Sequence, residues 1–342
     1  MICTGCLKKM DAPGYCKKCL KELFGGKKID RILPFNSPYK EDSDLYRDLT
    51  KKMSISGVQV KYSMRLDENK LILTDTGGQY ILKPIPAGQF KNMDQAPANE
   101  HLTMQLAKQL FKITVPPNAI IYFSDQSPAY LVKRFDVKED GSKYQQEDFA
   151  QIAQVTEETH GKIYKYDLSY EEIGALIKRH IPMYAVEIEK FFRLVLFNYI
   201  FSNGDAHVKN FSAIQTDAGD YVLTPAYDLL CTRIHSPGES DMALMLFKDR
   251  FSEAYEAYGF YTNHDFLEFG KMLGIIESRV LKIIDEFSGK DESIDSLVDA
   301  SFLRADLKTV YKDNYKGKMK RLKMVWTKKS KQEGQGVRKA AD

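Results

Sequence analysis

Asn203-Gly204-Asp205-Ala206-His207-Val208-Lys209-Asn210, followed by Tyr227-Asp228, is the stretch on which the reading of this chain turns. Asp205 and Asn210 form a D-x-x-x-x-N pattern, which puts a proton acceptor and a metal-binding oxygen in one loop. Asp228 adds a second carboxylate downstream. Hard divalent cations take oxygen donors, and phosphoryl transfer needs positioning and charge neutralisation more than covalent chemistry. Asp205 is therefore the candidate base for a hydroxyl proton, and Asn210 and Asp228 are the candidate Mg²⁺ ligands. Lys209 is placed to neutralise a transferring phosphoryl group, and His207 to orient the loop or touch phosphate.

The segments before this loop are β-rich. Residues 58–66 alternate as a strand. Residues 71–73 and 79–82 flank Thr74-Asp75-Thr76-Gly77-Gly78, which predicts a hairpin between them. Lys83 follows on the second of these strands, and Leu102, Leu106 and Leu110 give residues 99–111 helical spacing. Residues 119–123 and 129–135 predict two more strands. Taken alone, Lys83 is an ordinary solvated strand residue and Glu100 a charge favoured at a helix N-terminus. Taken with the loop, Lys83 is the candidate ligand for the α/β-phosphates and Glu100 its ion-pair partner. Beyond residue 136 the pattern is mainly helical, with helices expected at 146–156, 170–179 and 184–202. A short hairpin is expected at 211–215 and 221–224. The fold class is thus α+β, a bilobal protein-kinase-like fold with a small β-rich N-lobe and a larger, mainly helical C-lobe.

Cys3, Cys6, Cys16 and Cys19 form two C-x₂-C pairs near the N-terminus. Each pair can make a knuckle that aims two thiolates at one Zn²⁺, and Pro13-Gly14 turns the segment between them. A structural zinc site is expected. A redox pair and idle thiols are the other readings. The domain expectation is a four-cysteine zinc-binding module at 1–28, the kinase N-lobe with a serine-bearing glycine loop at 29–136, the helical C-lobe at 137–325 and a basic tail at 326–342.

The 50 basic residues nearly balance the 47 acidic ones, so no global field argues for nucleic acid. Bias is confined to the C-terminal end, where Lys316, Lys318, Lys320, Arg321 and Lys323 precede further lysines; a solvated helix end and a tRNA-contacting surface are both open. The most apolar stretch, 184–201, carries Glu187, Glu189, Lys190 and Arg193 and predicts a buried amphipathic helix rather than a membrane span. No apolar signal segment opens the chain, so a cytoplasmic location with reduced thiols is expected.

Several motifs in order resemble one family. Ser54-Ile55-Ser56-Gly57-Val58-Gln59-Val60-Lys61 is similar to the serine-containing glycine loop of HipA-type serine/threonine kinase toxins. Tyr80-Ile81-Leu82-Lys83-Pro84 resembles their ATP-lysine strand, and Asn99-Glu100 the opening of their small-lobe helix. Lys133-Arg134-Phe135-Asp136 resembles the hinge, and Gln146-Glu147-Asp148 the segment after it. Residues 203–212 and Leu223-Thr224-Pro225-Ala226-Tyr227-Asp228 resemble the catalytic and metal motifs. The two-serine loop is most similar to the short HipT-like branch, which lacks the N-terminal subdomain.

The resemblance implies an ATP- and Mg²⁺-dependent bacterial protein kinase, the toxin of a type II toxin–antitoxin system. It implies an aminoacyl-tRNA synthetase as substrate, growth arrest as outcome, and self-inhibition by autophosphorylation at Ser54 or Ser56. It implies ATP contacts from Lys61, Lys83, Glu100, Arg134, Phe135, Gln146 and Tyr227. The implied partners are a helix-turn-helix antitoxin, through which alone the chain would meet DNA, and a small separate subunit standing for the missing subdomain. The chain departs from long members in carrying the cysteine module there. Two alternatives stand beside this reading. G-D-x-H-x-x-N also resembles the loop of aminoglycoside-type small-molecule phosphotransferases, and a zinc-bearing, non-catalytic binding module is the third possibility.

Overall fold

The computed structural model describes residues 1–38, 60–87 and 90–326, which fall into two compact units. The first comprises residues 1–144, 227–237 and 292–311, and the second residues 145–226, 238–291 and 312–342. Ser54 and Ser56 lie outside the described residues, as does the end of the basic tail.

The first unit is built on a five-stranded antiparallel sheet in the order β2-β1-β3-β5-β4. Its strands are β1 (Tyr62–Asp67), β2 (Lys70–Leu73), β3 (Tyr80–Pro84), β4 (Asn118–Tyr122) and β5 (Pro128–Lys133). The expected hairpin between 71–73 and 79–82 does not form. The hairpin instead joins β1 to β2, with Asp67 opposite Lys70 and Glu68 in the left-handed region at φ 49°. Residues 74–79 then carry the chain back across β1, which lies between β2 and β3. Thr74 N donates to Ser63 O and Gln79 N to Met64 O. Gly78 serves that crossing, since a Cβ there would lie 1.8 Å from Ser63 Oγ, while Gly77 supplies the left-handed φ of 64° that the bend before it takes. Gly78→Ala is expected to lower stability by about 1–3 kcal/mol, read as a lower urea midpoint, with part of the loss recovered when Ser63→Ala is added. An unchanged midpoint would show that the crossing has slack.

The cysteine segment shares its core with the sheet. Helix α1 (Lys17–Phe24) starts directly after Cys16 and ends at Gly25, whose φ of 64° lets its amide reach back to Lys21 O. Cys3, Cys19, Leu23 and Phe24 pack in one cluster with Tyr62, Met64, Tyr80, Leu82 and Leu131. Thr4 O accepts from Ile120 N, and Tyr80 Oη donates to Leu23 O at 2.7 Å. Helix α2 (Ala96–Leu110) is buried on almost every side from Ala96 to Ala107, so its polar residues need internal partners. Asn99 donates to Cys231 O at 2.9 Å and accepts from Cys231 N at 3.0 Å, and Thr103 Oγ1 pairs with Tyr311 Oη at 2.8 Å.

The second unit is helical around a three-stranded sheet, β6 (Gln146–Asp148), β7 (Ser212–Gln215) and β8 (Tyr221–Leu223), in that order. The helix expected at 146–156 is reduced to α3 (Phe149–Ile152). Asp148 caps it with a reciprocal Asp148–Gln151 box, and residues 146–148 pair with β7 instead. Helix α4 (Glu157–His160) begins on a Thr156–Thr159 box and helix α5 (Tyr170–His180) on a third, Ser169–Glu172. Helix α6 (Tyr184–Ile200) buries Phe191, Phe192, Val195 and Leu196, with Phe191 edge-on to Phe211 and Phe269. Its charges are placed: Glu187 accepts from Leu223 N and Lys190, Glu189 binds Arg279, and Arg193 pairs with Glu286. Helices α7 (Glu253–Tyr258), α8 (Asn263–Met272) and α9 (Glu277–Glu286) follow; after them in the chain come α10 (Asp291–Ala300), which but for Asp291 belongs to the first unit, and α11 (Ala305–Leu322), whose residues up to 311 do as well. Among the described residues no helix is long and apolar enough to cross a membrane.

Candidate active site

In the first unit, Lys83 of β3 is not the solvated strand lysine that its position alone suggests. Its side chain is 5% exposed. Nζ donates to Glu100 Oε1 of α2 at 2.5 Å and makes a second, short contact with Asp228 Oδ1. Lys61 approaches the other oxygen of Asp228 at 3.6 Å. Two ammonium groups thus face two carboxylates. Burial works against the charge of Lys83, but Asp228 and Glu100 together hold its pKa above the ordinary value. Burial pushes the Glu100 carboxyl up, against the pull of Lys83. Asp228 sits at φ 54°, a left-handed conformation that a non-glycine residue holds only where its surroundings over-determine it. Its side chain is 30% exposed, unlike those of its two buried neighbours.

Removing one partner from such a group leaves an uncompensated buried charge. Lys83→Met is expected to cost about 3 kcal/mol in denaturant unfolding at pH 7. The deficit should shrink as pH falls from 7, because burial already raises the Glu100 carboxyl and loss of the ammonium raises it further, so that it takes up a proton. A deficit that is absent, or flat as pH falls, would contradict the ion-pair account.

Phe135 and Tyr227 stack in the same unit, with centroids 6.0 Å apart and planes 28° from parallel. Arg134 is largely committed: its amide donates to Gln79 O at 2.8 Å, and its guanidinium forks onto Asp136. A backbone contact from Arg134 to an adenine would therefore have to use its carbonyl.

The four cysteines converge, their sulfurs all lying within 4.8 Å of one another. Cys3 Sγ is 3.8 Å from Cys19 Sγ, and Cys6 Sγ is 3.7 Å from Cys16 Sγ. A tetrahedral zinc with Zn–S bonds of ~2.3 Å has sulfur–sulfur edges of about 3.8 Å, so the donor set fits that ion. Hydrogen bonds from Cys19 and Cys6 lower the Cys3 thiol and favour its thiolate, while Cys19 and Cys6 are themselves raised, so among these three the shift favours one thiolate and it is the sulfur geometry that fits the ion. Gly5 is required between the first pair, since a Cβ there would lie 2.7 Å from Cys19 Sγ. This knuckle also grips α2. His101 Nε2 lies 3.0 Å from Gly5 O, Gln109 donates to Cys6 O at 2.9 Å, and Lys108 pairs with Glu22 at 2.6 Å. Burial lowers the His101 pKa to about 4, so the ring is neutral and its Nε2–H is the donor.

In the second unit the loop at 203–210 leaves α6 through Ser202, at φ 54°. Asn203 is buried; it donates to Asn198 Oδ1 at 3.1 Å and accepts from Asp205 N at 3.3 Å, which fixes the turn into Asp205. A Cβ at Gly204 would meet the Glu239 carboxylate at 2.8–3.0 Å, so the smallest residue stands where another chain segment passes. Asp205 is half exposed. Its Oδ1 accepts from Tyr166 Oη at 2.6 Å and lies 3.9 Å from His207 Nε2. Lys209 Nζ donates to Asp148 Oδ2 at 2.7 Å. Asn210 closes the 3₁₀ turn Val208–Asn210, its amide bonded to His207 O at 2.9 Å. Gln146 lies exposed on β6.

Within each unit, then, the sequence-derived residues fall together: Lys61, Lys83, Glu100 and Asp228 in one, Asp205, His207, Lys209 and Asn210 in the other. Two residues with direct contacts to them, Asp148 and Tyr166, were given no role from the sequence, nor was His101, which bonds to the cysteine knuckle. Asp148 was legible as a helix cap in its D-x-x-Q signature. His101 stands on a helix that its leucine spacing marks, but burial nearly all round leaves no face of it to single out the ring. Tyr166 lies in an irregular stretch with no pattern to mark it.

A sequence model described as the HipA-like C-terminal domain matches residues 53–293. A Haemophilus influenzae protein named "Putative kinase" is 28% identical over 314 residues, covering 87% of this chain and 89% of its own length. "Putative kinase Y4dM" of Sinorhizobium fredii is 31% identical over 210 residues, which are 56% of this chain and 48% of that protein. Among solved structures, HipA of Shewanella oneidensis, determined with HipB and its operator DNA, aligns at TM-score 0.61 and 20% identity over 84% of this chain and 68% of its own. The Helicobacter pylori proinflammatory kinase CtkA aligns at TM-score 0.52 and 14% identity, covering 80% and 94%. At these identities the structural likenesses speak for the fold, a mixed α/β kinase-like one, and the match over 53–293 speaks for the family: the chain belongs to the HipA-like C-terminal domain family.

Proposed function

We propose that the chain is an ATP- and Mg²⁺-dependent serine/threonine protein kinase. The observation that carries this is the buried Lys83 ammonium, shared by Glu100 and the strained, part-exposed Asp228. A lysine held charged on a strand, with one buried partner and one accessible one, is equipped to receive nucleotide phosphates while Glu100 keeps it in place. The relatives named as kinases support the same reading.

Asp228 and Asn210 are the oxygen donors that would hold Mg²⁺, which when bound supplies charge neutralisation on the phosphates. Asp228 fits that task because its carboxylate is already turned toward cationic groups and remains accessible. Asp205 accepts the proton of the attacking hydroxyl and holds that oxygen in line. His207 and Lys209 border it, and Lys209 is steadied by Asp148. The Phe135–Tyr227 pair offers an aromatic surface for the adenine, with Gln146 a further nucleotide contact.

The finer reading follows the family. The kinase acts as the toxin of a type II toxin–antitoxin system in the cytoplasm, phosphorylates an aminoacyl-tRNA synthetase, and silences itself by modifying Ser54 or Ser56. HipA of Shewanella oneidensis was solved with HipB and operator DNA, and by that likeness a DNA-binding helix-turn-helix antitoxin is the proposed partner, with a small separate subunit as a second. The four-cysteine module at 1–28 holds a structural Zn²⁺; the N-lobe at 29–136, the C-lobe at 137–325 and the basic tail at 326–342 complete the functional division.

Phosphoproteomics of cells expressing the wild type beside Asp205→Ala tests this. Phosphate is expected on a serine or threonine of an aminoacyl-tRNA synthetase, and on Ser54 or Ser56, in the wild type alone. Purified protein that labels small alcohols but no polypeptide would overturn the protein-kinase reading.

A further inference from the structure

Tyr166 closes the 3₁₀ turn Tyr164–Tyr166, between α4 and α5 of the second unit. Its phenol oxygen donates to Asp205 Oδ1 at 2.6 Å. The ring stands edge-on to His207, with centroids 5.4 Å apart and planes at 78°. Lys165 Nζ lies 5.1 Å from the same ring's centre. Nothing about burial compels this contact: the Asp205 side chain is 49% exposed, and Tyr166 is 38% exposed. Both groups have water available, yet the hydroxyl is set on the one carboxylate oxygen that also faces His207. Partial burial of the phenol, with the Asp205 hydrogen bond behind it, raises its pKa above the ordinary value. The group is therefore a donor at neutral pH.

We propose that Tyr166 is a built-in mimic of the acceptor hydroxyl: its O–H occupies the place that a substrate hydroxyl takes on Asp205, and the turn at 164–166 forms the wall of the acceptor site. This rests on Asp205 being the base. A substrate hydroxyl must first displace the phenol, so the contact competes with the acceptor and not with nucleotide. The chemistry also bears on selectivity. A phenol reaches its partner across a whole ring, whereas a serine or threonine oxygen stands one bond beyond Cβ. A peptide presenting an aliphatic hydroxyl must therefore bring its backbone closer to Asp205 than the backbone of Tyr166 comes, into the space the ring fills. Displacing the ring opens that space.

The test is steady-state kinetics of Tyr166→Phe and Tyr166→Ala with Mg-ATP and myelin basic protein as a generic acceptor. Removing the hydroxyl is expected to lower the acceptor KM roughly tenfold, equivalent to ~1.4 kcal/mol, with the ATP KM unchanged. Tyr166→Ala should lower it at least as far. The partial exposure of the residue makes a folding failure of Tyr166→Phe no obstacle. If the acceptor KM is unchanged, or kcat falls instead, Tyr166 positions Asp205 and the mimic is overturned while the kinase stands. If neither the wild type nor Tyr166→Phe transfers phosphate to any acceptor, both this inference and the kinase reading fall. Transfer by Tyr166→Phe alone would support the mimic in its strongest form.

Discussion

Asp205→Ala is expected to reduce phosphoryl transfer by about 10²–10⁴-fold, the range that a positioned general base contributes. The loss should fall on the chemical step. Asp205 is assigned to the acceptor hydroxyl, whereas Lys61, Lys83, Glu100 and Asp228 are assigned to the nucleotide and its metal ion. Nucleotide affinity measured by calorimetry should therefore stay within a few-fold of wild type. Stability should hardly change either, because the side chain is half exposed and its partner Tyr166 can turn to water. Asp228→Ala makes the contrast. It removes a proposed Mg²⁺ ligand and one partner of Lys83, so both transfer and nucleotide binding should drop. If Asp205→Ala transfers phosphate within a few-fold of the wild type in a single-turnover assay, Asp205 is not the base.

Some of this site was legible because it depends on short-range pattern. The D-x-x-x-x-N spacing is a property of one loop, and Asn203 and Gly204 shape that loop locally. The strands β4 and β5 and the helices α5 and α6 fall close to where alternation, helical spacing and caps put them. What pattern could not carry is set by distant contacts. Lys83 reads as a solvated residue until α2 and Asp228 are brought onto it, separated from it by 17 and 145 positions. The strand pairing around residues 74–78 was misread because a glycine-rich segment is as suitable for a close crossing as for a turn. The true hairpin turns at Glu68-Asn69, and only its geometry marks it. The helix expected at 146–156 failed for an energetic reason: residues 146–148 gain a strand partner in β7, and Asp148 is worth more as a cap than as a helical residue. The serine loop at Ser54 and Ser56 falls outside the described residues, so its role stays with the proposal.

Metal removal is expected to have the largest effect on the first unit. Elemental analysis should find about one zinc per chain. Structural zinc contributes ~10–16 kcal/mol in zinc-finger peptides at neutral pH. Here Cys3 and Cys19 are embedded in the same core as β1, β3 and β5. Loss of the ion leaves four crowded sulfurs in that core, with nothing to offset the packing of one against another. The consequence should travel to α2. If the first knuckle opens, Gly5 O leaves His101 Nε2, while Nδ1 of the same buried ring has no hydrogen-bond partner among the described residues to compensate. An unsatisfied buried polar group costs about 1–3 kcal/mol, so the ring must move, and the residue before it is Glu100. With zinc held there, the Lys83–Glu100 pair would be tied to the ion through one peptide link and one hydrogen bond. Chelation, or Cys3→Ser, should lower the melting temperature and speed hydrogen exchange across residues 96–110. Exchange provides a readout that needs no activity. A metal-free protein with the same melting temperature and the same protection of α2 would show that the four cysteines hold the fold without an ion.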